Sequence, residues 1–214
     1  TREIMGLFWP IAKEINDKNK KSGVFKLLRD FSKTLSYGIA YGVTGKSLSS
    51  QAEEKLASVG LKLTEKEGNE AVEAWKRLFP DAGKYLDATA RKAVTLGYTS
   101  SLWGRKRWYD LDYLATNKWA KLAAMREGSN QEIQSTSADM TKQSMVYFDR
   151  MINHKRAKLI LCVHDELVAE CDSDYADDCC IILKNAMELA AQDILPILGH
   201  TVIVSPSKSD KYDK

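Results

Sequence analysis

The sequence has 214 residues, of which 44% are hydrophobic and 29% charged, a composition typical of soluble globular proteins. Its longest stretch without a charged side chain, residues 194–207, has 14 positions and contains two prolines, whereas a membrane-spanning helix needs about 20 apolar residues. This excludes a transmembrane helix, and because residues 1–9 show no secretory signal we expect an intracellular protein.

Charge is distributed unevenly along the chain. Residues 1–130 carry 23 Lys and Arg against 15 Asp and Glu (net +8), while residues 131–214 carry 9 against 14 (net −5). A basic portion attracts polyphosphates and an acidic portion collects divalent cations, so the asymmetry favours nucleotide or nucleic-acid binding.

The four cysteines have neither the density of a disulfide scaffold nor the spacing of a metal site, and we interpret them as free thiols.

Hydrophobic periodicity predicts mostly helices. Residues 3–16 form a short helix or turn, and a Gly- and Ser-rich break at 45–50 interrupts the pattern. The predicted helices are 24–43, 51–58, 64–79, 81–95, 114–134, 137–153 and 177–191. Thr64 and Glu67 have the spacing of a capping box, and Pro80 ends the helix that they begin.

Strand signals are few. Residues 96–108 predict two extended segments around a turn, 159–163 and 167–171 predict a β-hairpin, and 201–204 predict a terminal strand. Because helices dominate, the expected class is α+β with a small antiparallel sheet.

The first candidate site is a helical stripe in residues 25–42. Arg29, Lys33, Tyr37 and Tyr41 recur every four residues, so they share one helix face. Two cations followed by two aromatic rings match the polarity of a nucleoside triphosphate, with phosphates at one end and sugar and base at the other. Gly38 and Gly42 each weaken the helix by about 1 kcal/mol relative to alanine, which makes sense if another group approaches the backbone closely or the helix bends there. The alternative is an ordinary amphipathic helix with solvated cations and packed tyrosines.

A second stripe consists of Arg126, Asn130 and Gln134, again at steps of four. These side chains can hydrogen-bond purine N3 and pyrimidine O2, the acceptors that the minor groove presents whichever way a base pair is oriented. Such a stripe checks duplex shape without reading sequence. Solvated polar residues would show the same spacing.

Two further segments carry chemistry. His164, Asp165 and Glu166 occupy the bend of the predicted hairpin, where an exposed aspartate can supply part of a magnesium site but cannot build a two-metal centre alone. Arg105 and Arg107, in a GRKR run flanked by tryptophans, suit contacts with a phosphate backbone.

Four segments together resemble the polymerase domain of family A DNA polymerases, which includes bacterial and phage enzymes. The similar segments are RDFSKTLSYGIAYG (motif B), GYTSSLWGRKRWYDL, REGSNQEIQSTSAD and VHDEL (motif C), in the family's order. The resemblance covers nearly the whole chain. It implies fingers in residues 1–112, a palm portion in 113–214, and a location in the cytoplasm of a bacterial or phage-infected cell.

The resemblance also implies roles for single residues. Arg29 and Lys33 would contact the incoming dNTP, with Lys33 also protonating the departing pyrophosphate. Tyr37 would face the sugar and Tyr41 the templating base. The remaining roles are Arg126, Asn130, Gln134 and His164 at the primer-template, Arg105 and Arg107 on the DNA backbone, Asp165 as a ligand of Mg²⁺ and Glu166 as a supporting carboxylate.

One family feature has no counterpart in this sequence. Motif A, whose aspartate is the other metal-bridging ligand, lies further before motif B than the 28 residues that precede Arg29. We therefore expect a DNA polymerase divided over two chains, in which the second chain supplies motif A, palm and thumb and completes a site for two Mg²⁺ ions. A split gene, an intein product, proteolysis or truncation would each give this boundary. The alternative is a non-catalytic DNA-binding or scaffold protein derived from the fold.

Overall fold

The structure, a computed structural model, describes residues 2–196 and 202–211. Its helices in chain order are α1 (Arg2–Phe8), α2 (Gly23–Ala40), α3 (Gly45–Leu56), α4 (Glu65–Leu78), α5 (Pro80–Thr95), α6 (Leu111–Thr116), α7 (Lys118–Met151) and α8 (Ala176–Ile194). Its strands are β1 (Tyr98–Ser100), β2 (Lys106–Trp108), β3 (Ala157–Val163) and β4 (Glu166–Cys171). The strands form two separate pairs, β1–β2 and β3–β4. The predicted α+β class is therefore confirmed. No helix among the described residues is long and apolar enough to span a membrane.

The chain divides into two compact units. The first comprises Thr1–Thr99 and Trp108–Asn130, and the second comprises Ser100–Arg107 and Gln131–Lys214. Residues 113–130, which the sequence analysis assigned to the palm portion, thus group with the first unit. Helix α7 contributes its first part to one unit and its remainder to the other.

Helix α2 anchors the core of the first unit. Leu28, Phe31 and Leu35 are fully buried, and their spacing of three and four residues puts them on one helix face. They join a cluster to which α3 contributes Leu48, Ala52 and Leu56. Because burying a leucine or phenylalanine contributes about 1.5–3 kcal/mol, this face fixes the rotation of α2 and turns the Lys33 and Tyr37 side toward solvent.

Helix α2 ends at Ala40, three residues before the predicted end. The amide of Gly42 donates to the Ile39 carbonyl at 3.0 Å and the amide of Val43 donates to the Gly38 carbonyl at 2.8 Å, the bond pattern of a Schellman motif. Gly42 has φ +71°, which a glycine adopts without steric cost. Gly42 therefore ends helix α2.

The predicted break at residues 45–50 is wrong, because α3 begins at Gly45. The Thr44 hydroxyl accepts a hydrogen bond from the Ser47 amide and caps the helix. A Cβ atom on Gly45 would lie 2.5 Å from the Glu65 carbonyl oxygen, so the glycine is there for close packing of α3 against α4. The capping box of Thr64 and Glu67 is confirmed at the start of α4.

The separate helices predicted at 114–134 and 137–153 are also wrong. Helix α7 runs without interruption for 34 residues, preceded by the short helix α6. At the predicted boundary, the hydroxyl groups of Ser135 and Thr136 donate to the carbonyls of Gln131 and Glu132, each at 2.6 Å. Hydroxyls that bond back to the preceding turn remain inside a helix.

The second unit packs around the predicted hairpin, which is confirmed. Strand β3 pairs antiparallel with β4 from Ala157↔Cys171 to Val163↔Glu166, with an irregularity between Leu159 and Leu161. Its core cluster comprises Phe148, Ile152, Ala157, Cys179 and Ala186. This packing fixes the base of the hairpin and leaves its tip exposed.

The terminal strand predicted at 201–204 is not observed in residues 202–204, and Thr201 lies outside the described residues. The amide of Val204 donates to the Glu188 carboxylate at 3.4 Å rather than to a strand. A strand needs a neighbour to satisfy its backbone groups, and within the described residues β3 pairs only with β4.

Candidate active site

The cation and tyrosine stripe lies on the solvent side of α2. Lys33 is exposed, and the Tyr37 and Tyr41 side chains are 65% and 49% exposed. The amphipathic alternative requires tyrosines packed in the core, and the structure contradicts that part of it. Tyr41 is the C-cap residue of α2. The stripe is therefore available to a ligand over its whole length.

Arg29 begins the stripe beside an open cleft of about 420 Å³. One guanidinium nitrogen of Arg29 lies 3.7 Å from an Asp30 carboxylate oxygen. Lys20, which pairs with Asp17 at 2.5 Å, lines the same cleft. The Arg29 end of the stripe thus adjoins a concave surface whose lining includes the Lys20–Asp17 ion pair.

Arg126 meets the other end of this stripe. A Cβ atom on Gly42 would lie 2.9 Å from Arg126 Cγ and 3.3 Å from Arg126 Cβ, so the arginine stem covers the Gly42 backbone. The sequence left open whether this glycine serves a close approach to the backbone or a bend of the helix; Gly42 ends α2 with a positive φ and is also covered by the arginine stem. This contact places the start of the second stripe next to Tyr41, although 84 positions separate Gly42 and Arg126 in the sequence.

The second stripe continues along α7. Arg126 is exposed and Asn130 half-buried, both in the first unit, and the exposed Gln134 follows one turn later in the second unit. The spacing of four residues is preserved because α7 is continuous there. The structure thus brings Arg126 to the end of the α2 stripe, and Arg126 and Asn130 share one face of α7 in the first unit.

The hairpin tip has a strained turn. Val163 pairs with Glu166, so His164 and Asp165 are the two turn residues, and all of 164–166 are exposed. His164 has φ +58° and, among the described residues, is the one non-glycine with positive φ. Such a conformation costs about 1–2 kcal/mol per residue and is found at turns and functional sites. The tip is therefore rigidly paired at its base while its three polar side chains project from the sheet.

Asp165 fits a magnesium ion only in part. Carboxylate oxygens are the ligands that Mg²⁺ prefers, and Asp165 at an exposed rigid tip can supply one. Within the described part of the chain, no three His, Cys, Asp or Glu side chains lie close enough to hold a metal.

Arg105 makes structural contacts within the second unit. Its Nε donates to Asp139 Oδ1 at 2.9 Å and an Nη donates to the Ser135 carbonyl at 2.9 Å. The Asp139 side chain is only 8% exposed, so Arg105 neutralises a nearly buried carboxylate. Arg107, two residues later on β2, is exposed. Both Arg105 and Arg107 are predicted to contact DNA. Arg105 also links the 101–105 turn to α7 through these two hydrogen bonds.

Comparison with known proteins identifies the family of this chain. A family model described as DNA polymerase family A matches residues 5–202. The chain belongs to DNA polymerase family A. The resemblance drawn from the four sequence segments is therefore confirmed.

Individual family A polymerases are similar over most of this chain. DNA polymerase I of Mycobacterium tuberculosis is 36% identical over 146 residues, which cover 67% of this chain and 15% of that protein. The thermostable DNA polymerase I of Thermus aquaticus is 30% identical over 168 residues, covering 78% of this chain and 19% of that protein. The chain thus spans less than a fifth of these relatives.

A solved structure shares the fold. The polymerase domain of Pol1 from M. smegmatis, in complex with DNA primer-template and dNTP, matches with a TM-score of 0.69 and 26% identity. The match covers 88% of this chain and 30% of that one. Both units of this family A chain therefore fall largely within a known polymerase architecture.

Sequence analysis missed one part of the site. It did not identify Arg126 as the group that approaches Gly42, because no local pattern reports a contact across 84 positions. The four-residue spacing of each stripe was visible, but the contact that joins the two stripes is tertiary.

Proposed function

We propose that this chain forms part of a DNA-directed DNA polymerase that adds dNTPs to a primer 3′-OH under the direction of a template. The observation that carries the proposal is the contact of Arg126 with Gly42, which joins the proposed triphosphate-binding stripe to the start of the proposed minor-groove stripe within the first unit. A polymerase must hold the incoming nucleotide beside the last base pair, and this contact is the arrangement that such a task needs. Membership of family A supports the proposal.

On the nucleotide side, Arg29 and Lys33 bind the triphosphate. Arg29 grips phosphate oxygens with its planar fork, and the exposed Lys33 ammonium donates a proton to the departing pyrophosphate. Tyr37 packs on the sugar, and Tyr41 stacks beside the templating base at the end of α2. These four residues orient the nucleotide along the helix.

On the DNA side, Arg126, Asn130 and Gln134 donate hydrogen bonds to minor-groove acceptors of the last base pairs. Because those acceptors occupy similar positions in every correct pair, the contacts report duplex shape rather than sequence. His164 contacts the primer terminus, and Arg105 and Arg107 contact the backbone. M. smegmatis Pol1 was solved with primer-template and dNTP, which supports these partners for the present chain.

Asp165 would hold magnesium, with Glu166 as a supporting carboxylate. When bound, two Mg²⁺ ions stabilise the attacking and leaving oxygens of a phosphoryl transfer. Asp165 would be the carboxylate that this chain contributes to such a site, on an exposed hairpin turn. Catalysis therefore requires a complement that supplies the second carboxylate, together with the remaining palm and the thumb.

We propose that the first unit works as fingers and the second as part of the palm, and that the complement docks as a separate chain. Strand β3 exposes Ile160 and Leu161 on a two-stranded sheet, an apolar edge that sheets normally cover. A complementary palm segment would pair with this edge. The interface should exceed the standard size of about 1,600 Å² because it amounts to a divided domain core.

The test is primer extension with the chain alone, with a family A fragment that carries motif A, and with both mixed. We expect incorporation only on mixing. Asp165→Asn should then reduce it below about a hundredth while primer-template affinity stays within about twofold, because a lost metal ligand costs several kcal/mol and each tenfold in rate is about 1.4 kcal/mol. Asp149→Asn, a change at an exposed aspartate in the same unit, is the matched control.

Activity of the isolated chain would contradict the need for a complement. Retention of more than about a hundredth of the activity by Asp165→Asn would contradict the metal role. DNA binding without incorporation in any mixture would instead favour the scaffold alternative.

A further inference from the structure

Trp119 is unusually exposed for a tryptophan. Its side chain is 79% exposed, the highest value of any aromatic residue that the structure describes. It lies in the first turn of α7, and none of the roles proposed above uses it. A single exposed ring is common on protein surfaces, so its meaning depends on the groups that surround it.

The neighbourhood of Trp119 is locally fixed. The Tyr113 hydroxyl accepts a hydrogen bond from Asn117 Nδ2 at 3.1 Å, and Asn117 Oδ1 accepts one from the Ala120 amide at 3.0 Å. Asn117 thus ties the exposed ring of Tyr113 on α6 to the first turn of α7. The Tyr113 ring is thus held by a hydrogen bond next to the helix start that carries Trp119, which lowers the entropy that Tyr113 loses when it binds a flat ligand.

Trp119 lies in line with the proposed minor-groove stripe. Steps of seven residues to Arg126 and eleven to Asn130 keep all three within about 40° on a helix of 3.6 residues per turn. The rise of 1.5 Å per residue places Trp119 about 10 Å along the axis from Arg126, roughly three steps of a nucleic-acid strand. A strand that passes Arg126 along this face therefore reaches Trp119.

The charge of this surface fits the same ligand. Lys118 and Lys121 flank Trp119 and are exposed, with Asp112 on α6 as the nearest acidic residue in sequence. Cations beside an exposed ring are what single-stranded nucleic-acid sites use, because the ring stacks on a base while the ammonium groups neutralise phosphates. In a duplex each base face is already covered by its neighbours, so a stacking ring requires an unpaired base.

We propose that Trp119, with Tyr113, Lys118 and Lys121, binds the single-stranded template beyond the primer-template duplex by stacking one unpaired base on the indole. The proposal rests on the proposed function, since it extends the DNA path from Arg126. It assigns the chain a second, sequence-tolerant DNA contact.

The test measures affinity of the 214-residue chain by fluorescence anisotropy for two DNAs. One is a primer-template with a six-nucleotide single-stranded template extension, and the other is the same duplex with blunt ends. We expect Trp119→Ala to weaken binding of the extended DNA about tenfold, equivalent to roughly 1.4 kcal/mol, with blunt-duplex binding unchanged. Trp119→Phe should keep most of the affinity because it keeps a stacking ring. Tyr85→Ala removes an exposed ring elsewhere on the same unit and is the matched control.

Tryptophan fluorescence gives a second readout that a purely structural role would not move. The extended DNA should quench emission of the wild-type chain, which has five tryptophans, more than that of Trp119→Phe.

Equal affinities of all variants for the extended DNA would overturn the inference and leave the proposed function intact if duplex binding persists. Absence of binding to either DNA would contradict both. Self-association that Trp119→Ala abolishes, without an effect on DNA, would assign this surface to a second copy and overturn the proposal.

Discussion

Gly42→Ala tests the contact on which the proposed function depends. Gly42 has φ +71°, and a Cβ atom there would lie 2.9 Å from Arg126 Cγ. The methyl cannot be avoided by swinging a flexible tip, because the atoms it meets are the first two carbons of the arginine side chain. The substitution should therefore shift the Arg126 side chain or the end of α2.

The expected magnitude has two parts. An alanine with positive φ costs about 1–2 kcal/mol, partly offset by about 0.4–1 kcal/mol because alanine restricts the unfolded chain. Forcing carbons 2.9 Å apart, where contact distances are 3.5–4.0 Å, adds about 1–3 kcal/mol of overpacking. Gly60→Ala is the matched control, because Gly60 has φ +70° but nothing within 4 Å of a Cβ position.

Urea unfolding followed by tryptophan fluorescence would measure both variants. We expect Gly60→Ala to lower the free energy of unfolding by about 1 kcal/mol and Gly42→Ala by about 2–4 kcal/mol. Affinity for blunt primer-template should fall several-fold for Gly42→Ala and stay unchanged for Gly60→Ala. Equal losses of stability in the two variants would show that Arg126 does not pack on Gly42.

Further predictions address three other sites. Wild-type enzyme should accept dideoxynucleotides readily because the Tyr37 hydroxyl can occupy the place of a missing 3′-OH, and Tyr37→Phe should restore discrimination; equal incorporation ratios in a terminator assay would contradict this. Arg105→Ala should lower the free energy of unfolding by about 2 kcal/mol because it leaves the Asp139 carboxylate nearly buried and unpaired, and a double-mutant cycle with Asp139→Asn should show coupling between the two. Burial, with a smaller effect of nearby thiols, raises the pKa of Cys179 to about 12, so at pH 8 the group stays protonated; iodoacetamide should label the exposed Cys162 and reach Cys179 only after denaturation, as peptide mass spectrometry would show.

Elements whose signals are local were predicted correctly from the sequence. The capping box at Thr64 and Glu67 is a contact over three residues, and the hairpin around His164 and Asp165 follows from two apolar runs separated by a short polar turn. The stripe on α2 was also visible, because a helix converts a spacing of four into one face. The family resemblance was carried by the same short segments.

The wrong predictions of helix boundaries and of the terminal strand share one cause. Each was made from local sequence, whereas contacts between distant segments determine where these elements begin and end. Gly45 weakens an isolated helix, yet it begins α3 because only a residue without a side chain lets that backbone touch α4. A boundary was predicted between residues 134 and 137, yet the hydroxyls of Ser135 and Thr136 bond to the preceding turn and α7 continues. The strand expected near Val204 lacks a neighbouring strand among the described residues.

Residue spacing is enough to identify the chemical groups of this protein: two cations and two tyrosines on one stripe, three polar residues on another, and a carboxylate at a hairpin turn. Three further facts came from the folded structure: Arg126 lies on Gly42, Tyr37 is exposed to solvent, and Arg105 neutralises Asp139. Local spacing is set by backbone geometry, which each segment carries with it. Contacts between distant segments depend instead on how buried faces pack, and no segment contains that information alone.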